Sequence, residues 1–313
     1  MKLSVVATLY RSAPYIREFH QRASAAARAL TDDYEIVLVN DGSPDESLEI
    51  AEALVAEDPK VVVVDLSRNF GHHKAIMTGL THARGERVFL IDVDLEESPE
   101  WLESFDQAMR EEDADVVYGV QARRKGGLFE RWSGMLYYKV LRLLTGFTLP
   151  ENLITARLMT RRYVDALLQF REREVFLAGL WHITGFRQVA RVVTKLSTSP
   201  TSYTFRQKLS LLVNSVTSVS NRPLIFIFYV GALISFVALI YASYLVANWL
   251  LFSNPPSGWT SVMISIWLMG GLVISFIGVI GIYLSKIFTE TKQRPYTIVR
   301  KIHGRTESRH IAE

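Results

Sequence analysis

The sequence predicts an α/β domain wound around a mostly parallel sheet, followed by two helices long enough to cross a membrane. Three observations carry that reading. Along residues 1–120, short β-branched runs without polar alternation are separated by alanine-rich helical stretches, as expected of strands covered on both faces by crossover helices. Several runs end on acidic or hydroxyl residues, and in such sheets the ligand lies beyond the carboxyl ends of the strands. From Pro223 to Ser285 there is no Asp, Glu, Lys or Arg.

Taken in order, Leu3-Ser4-Val5-Val6-Ala7 reads as a strand, Pro14 to Leu30 as a helix, and Glu35-Ile36-Val37-Leu38-Val39 as a second strand. Ser47 to Ala56 is then a helix, Val61 to Val64 a strand, His73 to Ala83 a helix and Val88 to Ile91 a strand. Three strand ends carry chemistry: Thr8-Leu9-Tyr10, Asn40-Asp41-Gly42-Ser43-Pro44-Asp45 and Asp92-Val93-Asp94. The second is also good turn and N-cap material. Its functional reading rests on coincidence, because groups at several strand ends of one sheet converge on one crevice.

On an extended segment, Asp92 and Asp94 project to the same face and Glu96 continues it. Such a row repels itself unless something cationic sits in it. Oxygen-only ligands suit Mg²⁺ or Mn²⁺, which take few carboxylates and complete their coordination with water and substrate phosphates. A solvated acidic turn is the other reading of the same residues. A nucleotide could use Asp41 for its base or ribose, with Asp94 and Glu96 holding a metal on its diphosphate.

Composition excludes several classes. Without cysteine there is no disulfide, thiolate metal site or thiol nucleophile. The formal net charge of +3 gives no reason to expect nucleic acid as a partner. No Gly-x-Gly-x-x-Gly follows the first strand and no Gly-x-x-x-x-Gly-Lys-Ser/Thr occurs, which disfavours dinucleotide oxidoreductases and P-loop NTPases.

The uncharged stretch is broken only at Ser253 to Gly258, and each half exceeds the roughly 20 apolar residues a bilayer core requires. Spans are expected at about 224–252 and 259–285, within a membrane unit at 223–287. Arg206, Lys208 and Arg222 precede them, Lys286, Lys292, Arg294, Arg300 and Lys301 follow, and the connecting loop has no base, so both termini are expected to be cytoplasmic. Trp249 and Trp259 are the expected anchors on the far side. Met1 to Val6 has no signal-peptide character, and residues 1–200 are read as a domain that does not cross. In 201–222, Phe205, Leu209, Leu212, Val213, Val216 and Val219 recur at helical spacing. That stripe suits an amphipathic juxtamembrane helix lying on headgroups, or one packed on the domain or a sister subunit. Residues 288–313 are read as a basic cytoplasmic tail.

These residues resemble the inverting glycosyltransferases of family 2, with the GT-A fold. The shared pattern runs through Ser4-Val5-Val6 to Tyr10, Val39-Asn40-Asp41-Gly42-Ser43 with Asp45, and Leu66-Ser67-Arg68-Asn69-Phe70-Gly71. It continues through Ala75 and Gly79 to Asp92-Val93-Asp94-Leu95 and Pro99-Glu100. With two spans and the tail Arg294-Pro295-Tyr296 to Ile302-His303-Gly304, it looks like the polyisoprenyl-phosphate branch, related to dolichol-phosphate mannose synthase and bacterial undecaprenyl-phosphate glucosyltransferases. The resemblance implies metal-dependent, non-processive transfer of one sugar from a nucleotide diphosphate sugar, UDP-glucose foremost, to a polyprenyl phosphate at the bacterial inner membrane. It places the nucleotide sugar at Thr8, Tyr10, Asp41, Ser43, Arg68 and Asp92, the metal at Asp92, Asp94 and Glu96, and catalysis on Asp94, Asp92 and Arg157. It puts Arg123, Arg124, Lys125 and Arg131 in the acceptor region as phosphate ligands, although a charge run is also an ordinary solvated face. A homo-oligomer, a downstream flippase and a lipid-linked-sugar transferase of the cell envelope, as in lipopolysaccharide modification, are further implied partners.

Two departures matter. His72 stands where relatives commonly carry Lys, and is read as structural. Thr155 stands where many carry an Asp proposed as base, leaving Glu151 as the nearest spare carboxylate. A phosphate acceptor softens that loss: its second pKa is near 6, so much of it is already a dianion at neutral pH. Other readings are a processive polysaccharide synthase, whose Gln-x-x-Arg-Trp is spoiled here by Leu128 ahead of Arg131-Trp132, and a non-catalytic membrane subunit that binds nucleotide sugar.

Overall fold

Every position of Leu3–Leu9 (β1), Tyr34–Asn40 (β2) and Val61–Leu66 (β3) is buried, which explains why these segments show no polar alternation. Val5, Ala7 and Leu9 join one apolar core with Ile16 and Phe19, while Val6, Val37 and Val39 join a second with Ile76 and Leu80. The side-chain period of two thus feeds two cores from one strand. The computed structural model describes residues 1–121, 152–196, 220–252 and 258–304, with Lys139, Leu143, Leu144, Val213, Val216 and Thr217 between them.

Helices α1 (Ile16–Leu30), α2 (Ser47–Glu57) and α3 (His72–His82) connect the first strands, and α3 leads to β4 (Arg87–Leu90). Then come α4 (Trp101–Glu111), β5 (Val116–Gln121), β6 (Leu153–Thr160), α5 (Arg161–Leu167), α6 (Leu177–Ile183) and β7 (Gln188–Val193). Two long helices follow, α7 (Arg222–Phe252) and α8 (Trp259–Thr291), and then β8 (Val299–His303).

Among the described residues the strands form one sheet in the order β7-β5-β6-β4-β1-β2-β3-β8. The parallel centre β4-β1-β2-β3 is the expected doubly wound part. Antiparallel pairing of β6 with β4 and β5, and of β8 with β3, makes the whole sheet mixed. Part of the segment read as a basic tail is therefore an edge strand of the sheet. Without it, the outer edge of the fully buried β3 would present unpaired main chain.

The chain divides into two units, one built on the sheet and ending with the residues from Arg294 onward, the other holding α7 and α8. In the second unit both helices are long and apolar enough to cross a membrane. Their large apolar side chains, among them Phe228, Trp267, Ile274 and Leu284, are exposed, and none of these four belongs to either apolar core. Helix α8 runs to Thr291, past the expected span end at 285, because Lys286 and Glu290 are good helix formers and do not interrupt it. Most of the expected 201–222 helix lies outside the described residues, which there include only Val213, Val216, Thr217 and 220–222; the acceptor bases Arg123, Arg124, Lys125 and Arg131 lie outside them too, as does Glu151.

Helix α3 reaches the sheet through Gly79, where a Cβ would stand 2.6 Å from Val6 Cγ1 and 2.9 Å from Val39 Cγ2. Gly79→Leu should destabilise the sheet unit by about 1–3 kcal/mol through overpacking, read as a lower thermal midpoint in detergent; an unchanged midpoint would show that α3 is not seated there.

Candidate active site

Register places the carboxyl ends of the parallel strands side by side. Leu9 pairs with Asn40, Asn40 with Asp65, and Val6 with Leu90. The turns that leave these ends are stitched to one another by small polar side chains. Asn40 Nδ2 donates to Asp65 Oδ1 at 2.8 Å, and Asn40 Oδ1 accepts from Ser43 N at 3.2 Å. Ser43 Oγ accepts from Arg11 N at 2.7 Å and donates to Asp45. Asp45 also accepts from Ser47 Oγ at 2.6 Å and Ala13 N at 3.2 Å. Burial would raise the Asp45 carboxyl, but these hydroxyl and main-chain donors outweigh it and hold it down at about 2.

Asp41 is buried and each of its oxygens is already engaged, accepting from Phe70 N at 2.7 Å and Gly71 N at 3.0 Å. Burial pushes its carboxyl up, partly offset by those two N–H donors. Asp41 is thus first the fastening of the β3–α3 turn. Gly42 makes the fastening possible: at φ +57°, a Cβ there would lie 2.4 Å from the Arg68 and Asn69 main chain. Arg68 is exposed, its guanidinium 4.1 Å from the Phe70 ring centroid and donating to Asn69 O at 2.9 Å. Tyr10 is half-exposed, with the Arg11 guanidinium 5.6 Å from its ring centroid. Thr8 Oγ1 lies 3.0 Å from His72 Nδ1, and His72 Nε2 lies 3.5 Å from Asp92 Oδ1. His72 therefore spans the β1 and β4 ends.

The acidic segment is a turn, not the extended run that the period-two argument assumed. β4 stops at Leu90, Asp94 Oδ1 accepts from Glu96 N at 3.0 Å, and Leu95 takes φ +60°. A left-handed leucine costs about 1–2 kcal/mol, offset by Leu95 packing against the apolar core. Burial pushes the Asp94 carboxyl up, and the charges of Asp92 and Glu96 add to that.

Glu96 does not continue a metal-facing row. Its Oε2 lies 3.1 Å from Lys195 Nζ, and its carbonyl accepts from Leu196 N at 2.9 Å. Among the described residues no three His, Asp or Glu side chains stand together as a metal-holding set; Glu96 pairs with Lys195, where the expected trio had it beside Asp92 and Asp94. The cation foreseen for the acidic row is supplied in part by the protein itself. Lys195 also lies 3.8 Å from Glu97 Oε1.

Glu97 is almost wholly buried; Oε1 accepts from Thr155 N at 3.2 Å and Oε2 has no hydrogen-bond partner. Burial, and then the Asp92 charge, push its carboxyl well above the usual range. A carboxylate is thus delivered to the beginning of β6 from the β4 turn, although residue 155 itself is Thr. Sequence reasoning passed over Lys195 and took Glu97 only as a departure, with Ser98, from the Asp-Pro that the resembled family carries there. Glu97 left one signal, an acid immediately before Ser98-Pro99 at a strand end; Lys195 left none, because its partners are nearly 100 residues away.

Arg157, expected on a phosphate, is instead a core residue. It is 1% exposed, its Nε and Nη2 donate to Thr155 O and Ile154 O at 3.2 Å each, and its guanidinium lies against the Trp181 ring. Burial pulls its pKa down to about 9. The structure brings Thr8, Tyr10, Asp41, Ser43, Arg68, Asp92 and Asp94 to one end of the sheet and leaves Arg157 in the packing below.

The sequence of β1 through α5, including all these strand ends, matches the model of glycosyl transferase family 2 over residues 4–168. The chain belongs to that family. This glycosyltransferase is 52% identical over 304 residues, 97% of its length and 89% of the other's, to a Mycobacterium tuberculosis protein named in general terms as a glycosyltransferase. It is 31% identical over 311 residues to the SfII prophage-derived bactoprenol glucosyl transferase of Shigella flexneri, covering 97% of this chain and 99% of that one. The crystal structure of S. aureus TarS residues 1–349 with UDP matches 70% of this chain and 65% of that one, at a TM-score of 0.45 and 18% identity.

Asp41→Ala orphans two main-chain donors and should destabilise the sheet unit by about 1–3 kcal/mol, read by thermal melting; a midpoint equal to wild type would remove the fastening role. Lys195→Met should be destabilising, and adding Glu97→Gln should recover part of the loss because charge is then removed from both sides. A double variant less stable than Lys195→Met alone would show the two groups to be uncoupled.

Proposed function

We propose that this glycosyltransferase transfers one sugar, with inversion, from a nucleoside diphosphate sugar to a polyprenyl phosphate at the cytoplasmic face of a membrane. The observation that carries the reading is the pairing of Asp92 and Asp94 at the strand-end crevice with two exposed apolar helices in the same chain. End-to-end similarity to bactoprenol glucosyl transferases supports the lipid acceptor and makes UDP-glucose the first donor to test. Exposed apolar helices support a membrane location, and the basic residues flanking them favour cytoplasmic ends. Because β8 pairs with β3, the chain before α7 and the chain after α8 contribute to one sheet, which an even number of crossings permits.

Asp92 and Asp94 fit a divalent cation that takes few carboxylates and finishes its shell on phosphates, and the mutual repulsion already acting on Asp94 is what a cation would relieve. Mg²⁺ or Mn²⁺ held there would supply charge neutralisation for the departing nucleoside diphosphate. The turns fastened by Asp41, Ser43 and Asp45 would cradle the nucleoside, and Thr8, Tyr10 and Arg68 would flank it. The acceptor needs no base when it arrives as a phosphate dianion, which suits a chain with Thr at 155. Arg123, Arg124, Lys125 and Arg131 are the bases we assign to the acceptor phosphate. Catalysis is then chiefly positioning of two charged reactants and stabilisation of the leaving group.

The test is the purified protein in detergent with Mg²⁺ or Mn²⁺, undecaprenyl phosphate and radiolabelled UDP-glucose, other UDP-hexoses and GDP-mannose. A mild-acid-labile lipid carrying one sugar is expected; long polymer, or no turnover with any donor, would overturn the reading. Asp94→Asn should lower turnover on the order of 10²–10³-fold, and full activity would remove the metal assignment. Thr155→Ala should cost less than about threefold, whereas a loss on the order of 10³-fold would show an essential proton transfer at that place.

A further inference from the structure

The last strand of the sheet reaches the turns at the candidate site. Arg300 of β8 lies with Nη1 3.4 Å from Asp65 Oδ2, while its Nη2 donates to Ser67 O at 2.7 Å. Ser67 N donates to Ile298 O at 2.9 Å, so the first residue beyond β3 is held through both its main-chain N–H and its C=O. Asp65 is buried and accepts from Asn40 Nδ2, and Asn40 in turn accepts from Ser43 N. The same β3–α3 turn is held on its inner side by Asp41 through Phe70 N and Gly71 N.

The docking of this segment is well determined. Thr297 Oγ1 lies 2.8 Å from Thr78 Oγ1 on α3, Tyr296 and Val299 pack on the second apolar core, and His303 Nε2 lies 3.2 Å from Glu52 Oε1 on α2. Gly304, at φ +82°, closes it where a Cβ would stand 2.3 Å from Val61 O. These contacts are spread over α2, α3 and β3, so the strand is held by several contacts besides the one between Arg300 and Asp65.

We propose that β8 is a positioning element of the donor site: Arg300, through Asp65 and Asn40 and through the Ser67 main chain, sets the two turns that cradle the nucleotide. Its arrival only after both apolar helices makes donor binding conditional on a completed helical pair. The claim rests on the donor reading above and adds to it a residue remote from the nucleotide. Arg300 is exposed on its outer side, so its removal leaves the core of the sheet intact; Asp65 keeps Asn40 but loses its cation, and the Ser67 carbonyl loses a charged donor.

The experiment uses the full chain in detergent, comparing wild type with Arg300→Ala, Arg300→Lys and Lys301→Ala. Lys301 is the exposed neighbour on the same strand and serves as the control. UDP binding is measured by calorimetry, KM and kcat with UDP-glucose, and the rate of tryptic cleavage after Arg68 by mass spectrometry. Arg300→Ala should weaken UDP binding by about 5- to 10-fold, raise KM by the same factor with kcat within about twofold, and speed cleavage after Arg68. Arg300→Lys should fall between, keeping the charge beside Asp65 but not the fork that also reaches Ser67; Lys301→Ala should match wild type. The proposal is overturned by wild-type cleavage and binding in Arg300→Ala, by an equal loss in Lys301→Ala, or by a fall in kcat at unchanged KM. Faster cleavage in Arg300→Ala of a protein that binds neither UDP nor GDP would keep the positioning role and sink the donor reading instead.

Discussion

Burial of β1, β2 and β3 at every position is the constraint from which the site follows. A strand that feeds two different cores cannot slip by one residue without exchanging Val5, Ala7 and Leu9 for Val6 and its neighbours against helices shaped for the other set. The register is therefore pinned, and with it the level at which each strand ends. Polar residues can gather at that edge because it is the place where the chain leaves the apolar layer. Their arrangement then depends on short side chains, Asn40, Asp41, Ser43 and Asp45, whose reach is no more than one turn.

Charge at the β4 end is organised by a different rule. Four carboxylates crowd into six residues, and burial disfavours the ionised forms of Asp94 and Glu97. The structure separates them by orientation. Asp92 and Asp94 stay at the crevice, while Glu96 and Glu97 turn toward Lys195. A left-handed Leu95 makes the separation, and the loop is clamped from β6 by Thr155 N and from the segment after β7 by Leu196 N. Turning one pair of acids toward Lys195 leaves Asp92 and Asp94, the two carboxylates on which the proposed donor site rests.

Much of the fold was legible in the sequence for one reason: two-faced burial leaves a run of β-branched residues that little else explains. The central strands and the helices between them fall within a few residues of expectation, and the uncharged stretch gave both apolar helices. Strand direction was not legible, since the composition of Leu153–Thr160 carries no mark of whether it runs with β4 or against it. Val299–His303 reads as a basic tail because three of its five residues are Arg, Lys and His, and only its partner strand shows it to be an edge. Asp41, Ser43, Asp92 and Asp94 stand at or just beyond the strand ends to which their sequence positions assign them. Arg157 was misread because a guanidinium can satisfy itself on carbonyls and an indole face as well as on phosphate. Lys195 was missed because a salt bridge across nearly 100 residues leaves no local pattern.

The edge pairing of β3 with β8 also has a consequence in time. Ser67 and Arg300 are 233 residues apart, and at about 5–20 residues per second of synthesis roughly 10–50 s separate their emergence from the ribosome. During that interval Val61–Leu66 is complete and its outer edge is open, and its run of four valines is of the kind that recruits other strands. The vulnerable period ends only when β8 has emerged, so the nascent protein has reason to be shielded until both apolar helices and the strand after them are made.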